Sequence, residues 1–213
     1  MQYLFKSVDS GATWKRISPD MSNNNKQRMG RTPYAINHQA ITAIDESPFK
    51  KGLLFVGTDD GKVWISLNDG GNWNEISKGL PVNTHVSRMV ASKFNEATVY
   101  LTLNDRREDN ITPYMYRSTD QGKTWISISG NLPHSPVNVI REDPNKKNIL
   151  YCGTDMGAYV SNDGGKKWIP INNNLPVSVS VQDLFIHPKA NQLVIATYGR
   201  GIYILDDISL LQK

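Results

Sequence analysis

Two aspartates at matching places in the sequence could act as a catalytic pair. Asp59 and Asp155 both occur in the phrase Gly-Thr-Asp-x-Gly, directly after a short apolar run. Two carboxylates that flank a glycosidic bond can hydrolyse it, one as the acid and the other as the base or nucleophile. Asp shortly before Gly is also ordinary hairpin-turn chemistry. The residues alone leave both interpretations open, with the turn as the simpler one.

Basic and aromatic residues in the longer irregular segments are candidates for ligand binding. Arginines form bidentate hydrogen bonds and, like sugars, stack on aromatic rings, so such mixtures suit a carbohydrate or a peptide. The predicted binding residues are Arg31, His38, Arg106, Arg107, Tyr114, Tyr198 and Arg200. Arg106 and Arg107 are flanked by acidic residues, and a solvated loop is the structural alternative for them.

Several other kinds of site receive no support from the composition. The single cysteine, Cys152, excludes an internal disulfide and lies in an apolar run typical of a buried thiol. The four histidines lack zinc-ligand spacing, and no phosphate-loop or dinucleotide fingerprint occurs, so neither a metal nor a cofactor is predicted. The net charge of +4 is spread along the chain, which argues against a nucleic-acid partner. No apolar run is long enough to span a membrane, and no signal peptide is recognisable.

A repeated octet, Ser-x-Asp-x-Gly-x-x-Trp, organises the chain that must position these residues. Its four copies contain Ser7, Asp9, Gly11 and Trp14; Ser66, Asn68, Gly70 and Trp73; Ser118, Asp120, Gly122 and Trp125; and Ser161, Asp163, Gly165 and Trp168. The Asp or Asn side chain is expected to accept hydrogen bonds from backbone N–H groups one or two residues on, and the Gly to supply a positive φ. The Trp then begins the next strand, with its ring over the turn. We therefore predict hairpin turns in which these residues are structural.

Short apolar strands recur around the octets and divide the chain into similar units. Successive octets are separated by 59, 52 and 43 residues, and four short strands in about 43 residues is the period of a β-propeller blade. The predicted fold is an all-β propeller of four-stranded antiparallel blades, as an incomplete arc within a single propeller region. The expected parts are a partial blade 1–17, a loop 18–39, blades 40–81, 82–133 and 134–176, a partial blade 177–207 and a tail 208–213.

The octets resemble Asp-box (BNR) repeats. The phrases at 56–61, 139–144 and 199–207 make the chain similar to the C-terminal part of bacterial exported BNR-repeat proteins, which are glycosyl hydrolase-like or sortilin-like propellers. This resemblance implies a secreted, periplasmic or cell-envelope location and, as partners, the remaining blades of a longer propeller or a second domain. It implies either a non-catalytic binding module or part of a xyloglucanase-like glycoside hydrolase that other blades complete. A sialidase is disfavoured because the Arg-Ile-Pro phrase is missing.

Strand order predicts which loops share a face. In an antiparallel blade, the octet turns lie on one face, whereas the second-to-third turns and the connections between blades lie on the other. The two longest irregular segments, 18–39 and 104–114, belong to that second face. Because binding residues usually lie on loops held by a rigid scaffold, we expect a glycan or peptide to bind there.

Overall fold

The described part of the protein is built from short antiparallel strands. The structure is a computed structural model that describes residues 2–26 and 39–213. In those residues there is no α-helix, and the one helical element is a 3-10 turn at Arg106–Glu108.

Seventeen strands form five separate sheets in the described residues. The N-terminal hairpin comprises β1 (Phe5–Lys6) and β2 (Lys15–Arg16). Blade one comprises β3 (Ile41–Glu46), β4 (Leu54–Thr58), β5 (Val63–Ser66) and β6 (Asn74–Glu75). Blade two comprises β7 (His85–Ala91), β8 (Val99–Asn104), β9 (Tyr114–Ser118) and β10 (Ile126–Ser127). Blade three comprises β11 (Val137–Glu142), β12 (Leu150–Thr154), β13 (Gly157–Ser161) and β14 (Ile169–Pro170). The C-terminal sheet comprises β15 (Val181–His187), β16 (Gln192–Thr197) and β17 (Ile202–Leu205).

The core lies between successive sheets rather than inside any one of them. Phe55 and Ile65 of blade one pack with Met89 and Leu101 of blade two, and similar clusters join blade two to blade three and blade three to the C-terminal sheet. The second strands β4, β8 and β12 are buried along their whole length, which explains their continuous apolar runs.

The octet turns are closed by their own side chains. In the third octet, Ser118 Oγ accepts the Gly122 N–H at 2.8 Å, and Asp120 Oδ1 accepts the Thr124 N–H at 2.9 Å. The carboxylate therefore bonds four residues on, and not one or two as expected from Asx turns. The reason is that Gln121 and Gly122 both have positive φ, 60° and 86°, which bends the chain back towards Asp120.

The octet tryptophans join one sheet to the sheet before it. The indole Nε1 of Trp73, Trp125 and Trp168 donates to the carbonyls of Ile17, Ile76 and Ile128 respectively, each at 2.8 Å. The sequence predicts a ring that lies over its own turn. The main hydrogen-bond partner of the indole is instead the carbonyl directly after the last strand of the preceding sheet. Trp14 is 65% exposed, since no sheet precedes it in the described residues.

Bulges in the first strands of the three blades make a second contact between neighbouring sheets. The strand register shifts around Thr42, Ser87, Asn138 and Gln182. The first three side chains donate to the backbone carbonyls of Val86, Val137 and Val181 in the following sheet, at 2.8, 2.8 and 3.1 Å. A bulge re-aims a side chain that regular pleating would direct elsewhere, so the polar group reaches across the interface.

Candidate functional site

The second-to-third turns of the sheets and the connections between sheets meet on one side of the molecule. We call this the connection rim: residues 18–26, 59–61, 104–114, 155–156, 178–180 and 198–200. Three of these turns are fastened to the connection that enters their own sheet, because the N–H groups of Asp59, Asp155 and Tyr198 donate to the carbonyls of Ala40, Pro136 and Ser180 at 2.9, 3.2 and 2.9 Å.

Asp59 is buried in the wall of the rim. Its side chain is 2% exposed, and Oδ1 accepts the backbone N–H groups of Gln39 and Ala40, the latter at 2.8 Å. Oδ2 faces the Arg107 guanidinium at 3.4 Å. Both carboxylate oxygens therefore have partners, which fits a group that positions a loop and an arginine.

Asp155 is held in a similar way, one blade further along. Its Oδ1 accepts hydrogen bonds from Asn138 Nδ2 at 2.9 Å and Ser180 Oγ at 2.7 Å. Its Oδ2 accepts a hydrogen bond from Arg106 Nη1 at 3.0 Å. The two candidate catalytic acids thus orient two neighbouring arginines.

The loop 104–114 is shaped by its own polar side chains. Asn110 Nδ2 donates to Asp105 Oδ2 at 2.9 Å and to the Tyr114 hydroxyl at 3.0 Å, which closes the loop at its base. The 3-10 turn inside it directs Arg106 towards blade three and Arg107 towards blade one. The rim therefore carries two adjacent guanidinium groups that span three blades.

A polar cavity of about 250 Å³ opens beside these arginines, and we call it the axial pocket. Three arginines, Arg88, Arg106 and Arg107, and three amides, Asn104, Asn138 and Gln182, supply most of its lining. Arg88 projects from the first strand of blade two, with Nη2 3.3 Å from Asp183 Oδ1. Burial lowers the pKa of the Arg88 guanidinium, and Asp183 opposes that effect. Its Nε–H is buried and has no hydrogen-bond partner in the part of the chain that the structure describes.

The remaining predicted binding residues are distributed along the same rim or lie outside the described residues. Tyr114 lies at the base of the loop 104–114, and Tyr198 is exposed on the turn of the C-terminal sheet. The Arg200 carbonyl accepts the Tyr203 hydroxyl at 2.9 Å in that turn. Arg31 and His38 lie outside the described residues.

Sequence reasoning missed the pocket residues that come from the inner strands, namely Arg88, Asn138 and Gln182. Each lies in or next to the bulge of a first strand, where simple alternation does not say which way a side chain points. A polar residue at the bulge of each blade and of the C-terminal sheet was the available signal for Asn138 and Gln182, whereas Arg88 follows the bulge residue Ser87 and had no such signal.

The described residues offer no metal site, reactive thiol or membrane-spanning helix. Residues 2–26 and 39–213 contain no group of three or more His, Cys, Asp or Glu placed to hold a metal ion. Cys152 is fully buried, and burial raises its thiol pKa. The described segments include no helix that is long and apolar enough to cross a membrane.

Comparison with known proteins relates the chain to several propeller proteins. The family model described as Sortilin-Vps10 (sortilin, neurotensin receptor 3) matches residues 113–207. A xyloglucanase from Paenibacillus sp. is 28% identical over a region that covers 51% of this chain and 12% of the relative.

Solved structures match nearly the whole chain in fold. A GH74 xyloglucanase from Xanthomonas campestris matches with a TM-score of 0.76 and 19% identity, over 98% of this chain and 34% of that protein. A GH74 enzyme from Niastella koreensis matches with a TM-score of 0.67 and 18% identity, over 96% of this chain and 33% of that protein. YCF48 bound to D1 peptide matches with a TM-score of 0.60 and 14% identity, over 96% of this chain and 58% of that protein.

These matches agree with the stacked four-stranded sheets and the recurring octets. The chain spans only about a third of the xyloglucanase structure it matches and an eighth of the Paenibacillus relative. It forms an all-β, incomplete propeller arc, and it is similar to BNR-type β-propeller proteins.

Proposed function

We propose that the chain is a non-catalytic propeller scaffold that binds a glycan or a peptide through the connection rim. One observation carries the proposal: both candidate acids have hydrogen-bonded partners on each oxygen, while arginine and amide donors line an open cavity beside them. A general acid for glycoside hydrolysis needs access to the glycosidic oxygen and a proton to donate. Asp59 lacks that access, because its side chain is 2% exposed and its Oδ2 faces the Arg107 guanidinium.

A glycan is the favoured ligand class. The support is the likeness to xyloglucanases, together with a rim that offers hydrogen-bond donors next to exposed aromatic residues such as Tyr198. A peptide is the second candidate, supported by the similarity in fold to YCF48 bound to D1 peptide.

The alternative function is that of a fragment of a GH74-like glycoside hydrolase. In that case Asp155, whose side chain is partly exposed, would join an acid on another blade. The xyloglucanase relative supports this alternative, although this chain covers only 12% of it.

The test is to titrate the chain with xyloglucan oligosaccharides and to measure binding and release of reducing ends in the same samples. We expect binding without release, and weaker binding in Arg107→Gln. Release that is abolished in Asp155→Asn would establish the enzyme alternative. If the chain binds neither the oligosaccharides nor any member of a panel of peptides, the proposed function is contradicted.

We also propose that further blades cover the open faces of the arc. Trp14 has no preceding carbonyl to bind among the described residues, and Phe185, Ile202 and Ile204 are exposed on the outer face of the C-terminal sheet.

We also propose that the protein lies outside the cytoplasm. The support is the match in fold to the extracellular domain of a putative one-component system from B. thetaiotaomicron. That match has a TM-score of 0.60 and 14% identity over 95% of this chain and 24% of that protein.

A further inference from the structure

We propose that the axial pocket binds a carboxylate group carried by the ligand, so that the rim recognises an acidic sugar or an acidic side chain. This inference rests on the proposed function and adds the chemical class that the rim selects.

The lining of the pocket is composed almost entirely of hydrogen-bond donors. All eight residues that form it are polar, three of them are arginines, and neither Asp nor Glu is among them. A planar guanidinium matches a carboxylate with two parallel hydrogen bonds, which makes arginine the preferred partner for this group. Amides next to the guanidiniums can donate to further oxygens of the same ligand.

Carboxylates that oppose this charge lie behind the lining. Asp59, Asp155 and Asp183 each bind one of the three arginines. They reduce the net charge of the cluster, so distant attraction of anions is weak. At contact distance the nearest groups to a ligand are the arginine N–H donors, because each guanidinium has five and the described ion pairs use only part of them.

Arg88 is the strongest single indication. It lines the pocket from the first strand of blade two, and its Nε–H is buried without a partner in the described structure. Arg88 is also fixed in place, since Asp183 binds it and is bound in turn by Arg141 Nη2 at 2.8 Å.

The size of the pocket limits what enters it. A cavity of about 250 Å³ fits one sugar ring or one amino-acid side chain, whereas the rest of a polymer would lie along the rim. The shared chemistry is therefore a single carboxylate, from a uronic acid or from an aspartate or glutamate.

The experiment compares charged and neutral probes of the same shape. D-glucuronate is titrated against D-glucose, and N-acetyl-L-aspartate against N-acetyl-L-asparagine, with the whole chain and detection by NMR. We expect the acid in at least one pair to bind about tenfold more tightly than its neutral partner. The pair that shows the difference identifies the source of the carboxylate. Equal binding within both pairs would overturn the inference.

Two variants and a matched control locate the effect. Arg88→Gln and Arg106→Gln should each remove most of the preference for the acid, and Arg106 is 60% exposed, so its variant should fold normally. Arg141→Gln is the control, because Arg141 binds the same Asp183 but does not line the pocket. Equal loss in the Arg141 variant would show that Asp183, and not the pocket, is responsible, and would overturn the inference.

These experiments distinguish a failure of the carboxylate site from a failure of the proposed function. If xyloglucan oligosaccharides bind the rim but acids have no advantage, the proposed function stands and the carboxylate site is overturned. If acids bind and Arg88→Gln removes the preference, both are supported. If inorganic sulfate binds as tightly as both acids, the site is a general anion site and the carboxylate assignment is overturned.

Discussion

At the scale of single residues, the octet aspartates are held in the ionised form by their own turns. Hydrogen bonds from the Thr124 hydroxyl, the Ser118 hydroxyl and the Thr124 backbone N–H lower the pKa of Asp120 from 3.8 to about 2. The same arrangement around Thr13 and Ser7 lowers the pKa of Asp9 to about 2. Because the folded-state pKa lies below the unfolded one, the stabilisation is present above about pH 4 and is lost as the pH falls towards about 2.

Asp120→Asn should make the stability less dependent on pH in that window. Asn68 makes the same turn bond without a charge, accepting the Asn72 N–H at 2.8 Å, so the variant should fold. We expect the melting temperature of the variant to fall less between pH 4 and pH 2 than that of the wild type. Asn68→Asp is the reverse test and should steepen the fall. If the melting temperatures of all three proteins fall equally between pH 4 and pH 2, this explanation is contradicted.

The octet tryptophans should differ in importance according to the sheet that precedes them. Trp168 is 2% exposed and bonded to Ile128, so Trp168→Ala should lower the free energy of unfolding by about 3–5 kcal/mol. Trp125→Ala should cost less, since its ring is only partly buried. Trp14→Ala is the matched control and should change stability by no more than about 0.5 kcal/mol. Urea unfolding measures all three, and equal losses for Trp14 and Trp168 would contradict the role of the preceding sheet.

At the scale of elements, the first-strand bulge of each of the three blades fastens that blade to the following sheet. Asn138→Ala removes donors to the Val181 carbonyl and to Asp155, and leaves both acceptors without that partner. The expected loss is about 1–3 kcal/mol in the free energy of unfolding. Gln182→Ala is the control, because its amide donates only to Ser180 in the described structure and reaches no following sheet. A larger loss for Gln182 than for Asn138 would refute the proposed role of the bulge.

At the scale of the whole molecule, the C-terminal sheet exposes a face that other sheets bury. Val160 of blade three is 1% exposed, whereas Ile204, at the corresponding place in β17, is 61% exposed. Exposed apolar faces of this kind promote association. We expect the wild type to self-associate with increasing concentration in sedimentation velocity, and Ile204→Asp to reduce this without loss of folding. Val160→Asp should instead unfold the protein, and a wild type that stays monomeric throughout would contradict the expectation.

The features of this protein that could be predicted from the sequence are those that depend on residues close together in the chain. The octet composition predicts turns with a positive φ at Gly122 and its counterparts, and the spacing of short apolar runs predicts four-stranded blades. Turn geometry and strand alternation depend on neighbouring residues, so they can be recognised in a single sequence. The same reasoning placed Arg106, Arg107, Asp59 and Asp155 on one face, and the structure brings them into contact in pairs.

The sequence by itself therefore determined the repeated hairpins, the all-β architecture and the face on which the loop 104–114 lies. Only the tertiary structure decided that Trp168 bonds to the preceding blade, that Asp59 and Asp155 hold arginines, and that Arg88 joins them around one cavity. The physical reason is that these contacts depend on how far each sheet is rotated and shifted against the next. That rotation results from packing across whole interfaces, and no local run of residues specifies it.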